Sequence, residues 1–369
     1  MVKKVILAVA GAGKTYHICH KIDPSKKNLI LAYTHENLRN IRKELCAAYG
    51  NVPELTTIIT FDAFVYRHLI LPYEPSIANQ FSEPHFTSRG ICLIEPPPKS
   101  IDKKYNTQYE KKDKLAHYVT KNCQYYCATL SELALYVGKG RDSLLRRAAS
   151  RLNRFFDSVL IDEFQDFREY DYELIVKLAK HLNNVLLVGD YYQHSVSGRN
   201  NTGKPFKKGK EDVLYSDFIK TVQKAGFEVD TTTLAKSRRC SVDVCNYVRN
   251  KLQIDISSIG DNKGRVIWAD EFADDVLKND QIPKLVYRDA KSYSFPALNW
   301  SYSKGDTLDC ACVILTKDFE KLAEDNFSVK KIPVSTLNKL YVALTRSRGH
   351  LYLIKLSTFK KLQEEFIRN

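Results

Sequence analysis

The chain has 369 residues, 44% apolar and 27% charged; this excludes a disordered polymer and is too long for one small core, so two domains are expected. Lys and Arg number 57 against 43 Asp and Glu, a formal net charge of +14, which points to a polyanionic partner, most often nucleic acid, with an indifferent basic surface as the plain alternative. No stretch is long or apolar enough to span a membrane, so no membrane association is expected. The nine cysteines follow no framework spacing and form no Cys-x-x-Cys clasp. They read as reduced thiols in a cytoplasmic protein, in a setting left open between prokaryote, virus and phage, with a structural zinc or iron–sulfur centre not expected.

In chain order, the opening "MVKKVILAVAGAGKT" has the basic start and apolar run of a secretory signal, but it leads straight into a glycine loop ending in Lys14, so that reading fails. Short apolar runs at 5–9, 29–32, 57–59, 159–161 and 185–188 alternate with helical patterns. Continuous runs of that length are what strands buried on both faces look like, so the class is α/β with a parallel sheet. Residues 70 to about 130 break the rhythm with Pro72, Pro75, Pro84 and Pro96 to Pro98 and a Lys/Tyr-rich stretch; they read as an insertion on the first domain. The basic loop "SGRNNTGKPFKKGKED" then leads toward a linker, which places the domains at 1–212 and 213–369. A second α/β pattern follows, with strands near 266–269, 284–287, 311–315 and 351–354.

Three stretches carry chemistry. In "AVAGAGKTY" a buried strand gives way to Ala10, Gly11, Ala12 and Gly13, and Lys14-Thr15-Tyr16 opens a helix. Backbone N–H groups of such a loop cradle phosphates at a positive helix terminus. Lys14 would reach the β- and γ-phosphates and the Thr15 hydroxyl would ligate Mg²⁺, so ATP and Mg²⁺ are the implied cofactors. In "SVLIDEFQDFREYD" an apolar strand stops at carboxylates: Asp162 suits a metal, and Glu163 suits an attacking water. An Asp–Glu pair is by itself more often a solvated turn; Gln165 and Asp166 either bridge the nucleotide chemistry or brace the loop, and Phe164 and Phe167 read as packing. In "NVLLVGDYYQHS" Gln193 offers a neutral group able to sense a γ-phosphate.

Taken with "LAYTHENLRNIRKEL" (31–45) and "TFDAFVYRHL" (60–69), these stretches resemble the ordered motifs of superfamily 1 DNA helicases of the UvrD/Rep-like group. "TLAKSRRCS", "LVYRDA", "SYSKGDTLDCACVIL" and "LYVALTRSRGHLYLI" continue the series in family order. The resemblance implies two RecA-like P-loop domains with one ATP between them: Lys14, Thr15, Asp162, Glu163 and Gln193 from the first, and Arg239 and Arg346 from the second as fingers that neutralise the transferring phosphoryl group. Gly305 falls in the motif that also serves nucleotide. The resemblance further implies that Thr34, His35, Phe61 and Asp62 on one domain, and Ser301 and Ser303 on the other, line a strand path; Phe61 as a core residue is the alternative. The implied activity is ATP-driven translocation or unwinding on single-stranded DNA, with RNA left open. The rival reading is a nucleic-acid-sensing regulatory ATPase that controls a partner such as a nuclease.

The chain departs from that family in four places. Only 64 residues separate Arg239 from Lys304, too few for the family's large accessory domain, so a minimal form is expected. Only seven residues precede Ala8, where the family reads adenine. The tyrosine beside the motif arginine is replaced by Arg238, and Val196 and Gly198 stand where two base-stacking aromatics are usual, with Tyr191 and Tyr192 nearby. Finally, "SKGDTLD" is closer to the RecD-like branch, which moves in the opposite direction.

Overall fold

The computed structural model describes residues 2–138, 143–194 and 203–367; Val196 and Gly198 lie outside them. By its internal contacts the chain divides into two compact units. The first comprises Met1–Val5, Thr15–Val188 and Ser197–Val229, and the second comprises Ile6–Lys14, Gly189–Val196 and Asp230–Asn369.

The first unit is organised on a six-stranded sheet. Its strands are β1 (Lys3–Leu7), β2 (Asn28–Ala32), β3 (Thr56–Thr60), β4 (Ser158–Ile161), β5 (Val185–Gly189) and β6 (Glu228–Asp230), in the order β6-β1-β5-β4-β2-β3. The ladders β2/β3, β2/β4 and β4/β5 are parallel. β2, "NLILA", is buried at every position, as a strand covered by helices on both faces must be. Helices α1 (Lys14–Lys21), α2 (His35–Tyr49), α3 (Leu130–Tyr136), α4 (Leu144–Phe155) and α5 (Glu169–Ala179) belong to this unit, α1 beginning one residue earlier at Lys14. α4 shows how sequence sets packing: Leu144, Leu145, Ala148, Ala149 and Leu152 fall on one face at helical spacing and are buried, which leaves Arg146 and Arg154 exposed and Arg147 and Arg151 half-buried.

Parallel pairing brings the carboxyl ends of the strands to one edge of the sheet, where ligands of open α/β sheets bind. The expected strand at 5–9 runs two residues earlier, over Lys3–Leu7, because the Val9 amide turns away to the Leu234 carbonyl at 3.0 Å. Residues 70–130 contribute no strand to this sheet. They form the helix Glu74–Gln80 and two-residue ladders such as Ile91–Cys92 with Tyr125–Tyr126, in keeping with their prolines, which cannot donate to a ladder.

The second unit has a five-stranded, wholly parallel sheet: β7 (Val266–Trp268), β8 (Lys284–Val286), β9 (Ala297–Asn299), β10 (Ala311–Ile314) and β11 (Leu351–Ile354), in the order β7-β11-β10-β8-β9. Four of these match expected strands; β9, "ALN", is half-buried and ends in a polar residue, so it offers no apolar run to be seen in advance. Helices α6 (Val242–Leu252), α7 (Ala273–Lys278), α8 (Val334–Leu344) and α9 (Leu356–Leu362) complete the unit. Val276, Leu277, Phe295, Cys312, Ile354 and Phe359 form a continuous apolar core. Among the described residues no helix is long and apolar enough to cross a membrane.

Candidate nucleotide site

The phosphate loop leaves the end of β1 and belongs, through Lys14, to the second unit. Gly11 and Gly13 have φ of 70° and 84°, a left-handed conformation that glycine adopts without strain. Gly11 is also tightly enclosed: a Cβ there would lie 2.5 Å from Arg239 Cβ and 2.7 Å from Ser237 Oγ. Its carbonyl accepts from the Arg238 amide at 2.9 Å. The loop is thus held against residues 237–239, in the stretch that contains the expected finger Arg239. Gly11→Ala combines a left-handed penalty with this overlap, so we expect a loss of about 2–4 kcal/mol in stability together with loss of nucleotide binding. Urea unfolding and nucleotide titration check both; an alanine variant with wild-type stability would contradict the packing.

A buried hydrogen-bond chain extends from the loop. The Ala10 amide donates to the Tyr341 hydroxyl at 2.8 Å, and that hydroxyl donates to Asp190 Oδ2 at 3.3 Å. Gln193 Nε2 donates to the same oxygen at 2.7 Å, and the Tyr192 amide donates to Asp190 Oδ1 at 3.0 Å. Burial, and then the Asp190 charge, push the Tyr341 phenol well above the usual tyrosine range, so it stays protonated and able to donate. Sequence reasoning missed Asp190 and Tyr341 as members of the site; the only signal was their position inside "VGDYYQ" and "LYVALTR".

The two expected fingers lie in the second unit, and both donate to backbone. Arg239 Nη1 reaches the Thr345 carbonyl at 3.2 Å. Arg346 is only 1% exposed. Its Nε donates to the Val342 carbonyl at 2.8 Å, its Nη1 to the carbonyls of Ser303 and Asp306 at 3.3 and 3.4 Å, and its Nη2 to Thr345 Oγ1 at 3.4 Å. Lys14 is buried, Tyr16 is exposed and stacks on His20 at 3.8 Å, and Gly305 is exposed with φ of 96°.

In the first unit the hydroxyl of Thr15 donates to Asp162 Oδ2 at 2.7 Å. Asp162 is 1% exposed, and its Oδ1 accepts from the Glu163 amide at 2.9 Å. Burial first, and then the Asp162 charge, raise the neighbouring Cys19 thiol to about 12. Glu163 itself is left-handed, φ 52° and ψ 45°, an uncommon and costly state for a side chain with a Cβ. Its carboxylate accepts from Gln165 Nε2. Gln165 and Asp166 are buried, as are Phe164 and Phe167.

Thr15 and Asp162 offer oxygen donors of the kind that suit Mg²⁺, a hard cation that keeps most of its ligands as water and phosphate. Among the described residues no group of three or more His, Cys, Asp and Glu is arranged to hold a metal. One carboxylate and one hydroxyl therefore fit an ion bound together with a nucleotide.

The expected strand-path residues divide. Thr34 is exposed and caps α2, accepting from the Asn37 amide at 3.1 Å; His35 is exposed on its first turn. Phe61 is 2% exposed and packs against Phe64 and Phe167. With Asp62, Tyr33, Asp166, Arg168 and Tyr170 it lines a cavity of about 200 Å³. Ser301 is half-buried, whereas Ser303 is fully buried and donates its hydroxyl to the Trp300 carbonyl at 2.8 Å. Between them Tyr302, 78% exposed, presents an aromatic face that the sequence reading did not single out.

Parallel sheets, a phosphate loop on glycines and a strand-end carboxylate paired with the loop threonine define a P-loop nucleotide-binding α/β protein. Residues 79–196 match the model of the UvrD/REP helicase N-terminal domain. No curated protein sequence matches the chain. Among solved structures, the PRRSV helicase is 13% identical over 98% of this chain and 54% of its own, with a TM-score of 0.44. The arterivirus nonstructural protein 10 helicase in complex with DNA is 11% identical over 95% of this chain and 60% of its own, with a TM-score of 0.42. The chain thus spans a little over half the length of each.

Proposed function

We propose that the chain is an ATP-dependent translocase or helicase acting on single-stranded nucleic acid, with DNA the first substrate to test and RNA the second. The observation that carries this reading is the enclosure of Gly11 by Ser237 and Arg239, which joins the phosphate loop to an arginine far away in sequence. In this reading the loop amides and Lys14 hold the nucleotide phosphates, and Arg239 and Arg346 neutralise charge as the terminal phosphoryl group transfers. Water attacks the γ-phosphorus, the bond to the β,γ-bridging oxygen breaks, and Glu163 takes the proton, giving ADP and phosphate. A magnesium ion would supply charge neutralisation at the β- and γ-oxygens, with Thr15 and Asp162 as the protein groups that hold it.

The Ala10 amide is engaged by Tyr341, so the loop must release that hydroxyl before all its amides can face phosphate. This favours hydrolysis that is slow at rest and stimulated by a bound strand. It also favours, as a second reading, a regulatory ATPase that answers to nucleic acid and controls a partner nuclease without unwinding. ATP turnover with and without single-stranded DNA or RNA tests the main reading. Stimulation is expected for the wild type and is expected to vanish, by about 10²-fold or more, in Lys14→Ala. Unstimulated hydrolysis would overturn the translocase reading, and stimulation without strand displacement or directional movement would favour the regulatory one.

A further inference from the structure

The buried face of α4 leaves Arg146, Arg147, Arg151 and Arg154 on the other side of the helix, a row about 12 Å long at 1.5 Å per residue. With Ser150 and Phe155 they line an open concavity of about 590 Å³. No ion pair engages Arg146, Arg151 or Arg154 among the described residues, and Arg151 Nη1 is buried without a hydrogen-bond partner. The Arg151 guanidinium lies 5.1 Å over the ring of Phe155, which is 55% exposed, and Arg147 lies 5.2 Å over Tyr73.

Two histidines register the resulting field. His68 sits below the usual histidine range because of burial and then the charges of Arg151 and Arg67. His181 is lowered by burial and then by Arg146, Lys3 and Lys180. Arg67, Lys3 and Lys180 thus add positive charge near the arginines of α4.

Its place in the unit separates it from the candidate site. α4 ends at Phe155, three residues before β4 begins at Ser158, so Arg154 and Phe155 lie at the edge where strands start. Thr34, Phe61 and Asp162 follow the opposite, carboxyl ends.

We propose that this face of α4 is a second nucleic-acid contact, which binds the phosphodiester backbone without reading sequence. Guanidinium forks suit phosphate oxygens bidentately, and an exposed ring beside them suits a base or sugar. A repeating backbone of phosphate and ring meets both features. An acidic peptide would leave Phe155 without a stacking partner, and one exposed ring is too little apolar surface to enter a membrane. The proposal takes only the identity of the polyanion from the motor reading.

The test uses the full chain and labelled single-stranded and duplex oligonucleotides across a salt series. The variant Arg146→Ala/Arg154→Ala removes two exposed groups that support no core contact. It should weaken binding about tenfold at low salt and flatten the log–log salt slope by about 1.4 on a single strand or about 1.8 on a duplex. Arg146→Lys/Arg154→Lys should restore most of the slope, which separates lost charge from misfolding, and Lys14→Ala should retain it. Unchanged affinity and slope on both nucleic acids would overturn the proposal. So would a loss confined to phosphatidylserine vesicles or polyglutamate. If wild-type hydrolysis proves indifferent to nucleic acid, the motor reading fails, while an altered slope still supports the contact.

Discussion

Arg346→Ala is expected to lower nucleic-acid-stimulated ATP turnover by about 10³-fold or more while leaving nucleotide affinity within a few-fold. An arginine finger acts on charge that appears only as the phosphoryl group transfers, so its loss falls on kcat more than on ground-state binding. The side chain has a second task in this fold. It donates to the carbonyls of Val342, Ser303 and Asp306 and to the hydroxyl of Thr345, and alanine leaves those acceptors buried beside a cavity. A stability loss of about 2–4 kcal/mol is therefore expected as well. Arg346→Lys separates the two effects: it keeps the charge but lacks the planar fork and can satisfy only some of the carbonyls. If turnover falls while urea unfolding and nucleotide titration show a folded, binding-competent protein, the finger role stands. A folded Arg346→Ala with wild-type stimulated turnover would sink it.

Asp162→Asn is expected to reduce magnesium-dependent hydrolysis by about 100-fold or more, with little change in fold. The amide is nearly the same size as the carboxylate, and its oxygen can still accept from the Glu163 amide, which is 2.9 Å from Oδ1. What disappears is the buried negative charge that faces the Thr15 hydroxyl at 2.7 Å. The checks are turnover as a function of magnesium concentration and nucleotide binding in its absence. The variant should bind metal-free nucleotide as well as wild type or slightly better, because a negative charge near the phosphates has gone. Wild-type turnover at every magnesium concentration would remove Asp162 from the role of metal ligand. Glu163→Gln supplies a companion measurement: the left-handed backbone persists, and only the step that needs a proton acceptor should slow.

The strand runs of both sheets were legible because buried parallel strands are apolar without interruption, and β2, β4, β8, β10 and β11 fall within two residues of expectation. The phosphate loop was legible for a similar reason: glycine is needed where φ turns positive, and Gly11 and Gly13 do so. β9 and β6 were not, since "ALN" and "EVD" are not continuous apolar runs. Nor was the inward turn of Ser303, whose neighbour Tyr302 takes the exposed position. One residue of register decides which side chain faces water, and a loop has no period to announce it.

The sequence by itself determined the α/β class, the strand-end placement of Asp162 and Gln193, and the basic character of the chain, because each follows from local pattern or composition. Tertiary structure alone decided that the Ala10 amide, Tyr341 and Asp190 share one buried hydrogen-bond chain, across separations of 331 and 151 residues. It also decided that Arg346 bonds both to the end of α8, at Val342 and Thr345, and to the loop carbonyls of Ser303 and Asp306, and that Arg146, Arg151 and Arg154 of α4 share one face. These features depend on which distant segments the sheets bring together. A hydrogen bond or an uncompensated charge is a property of the neighbours in space, which no spacing along the chain encodes.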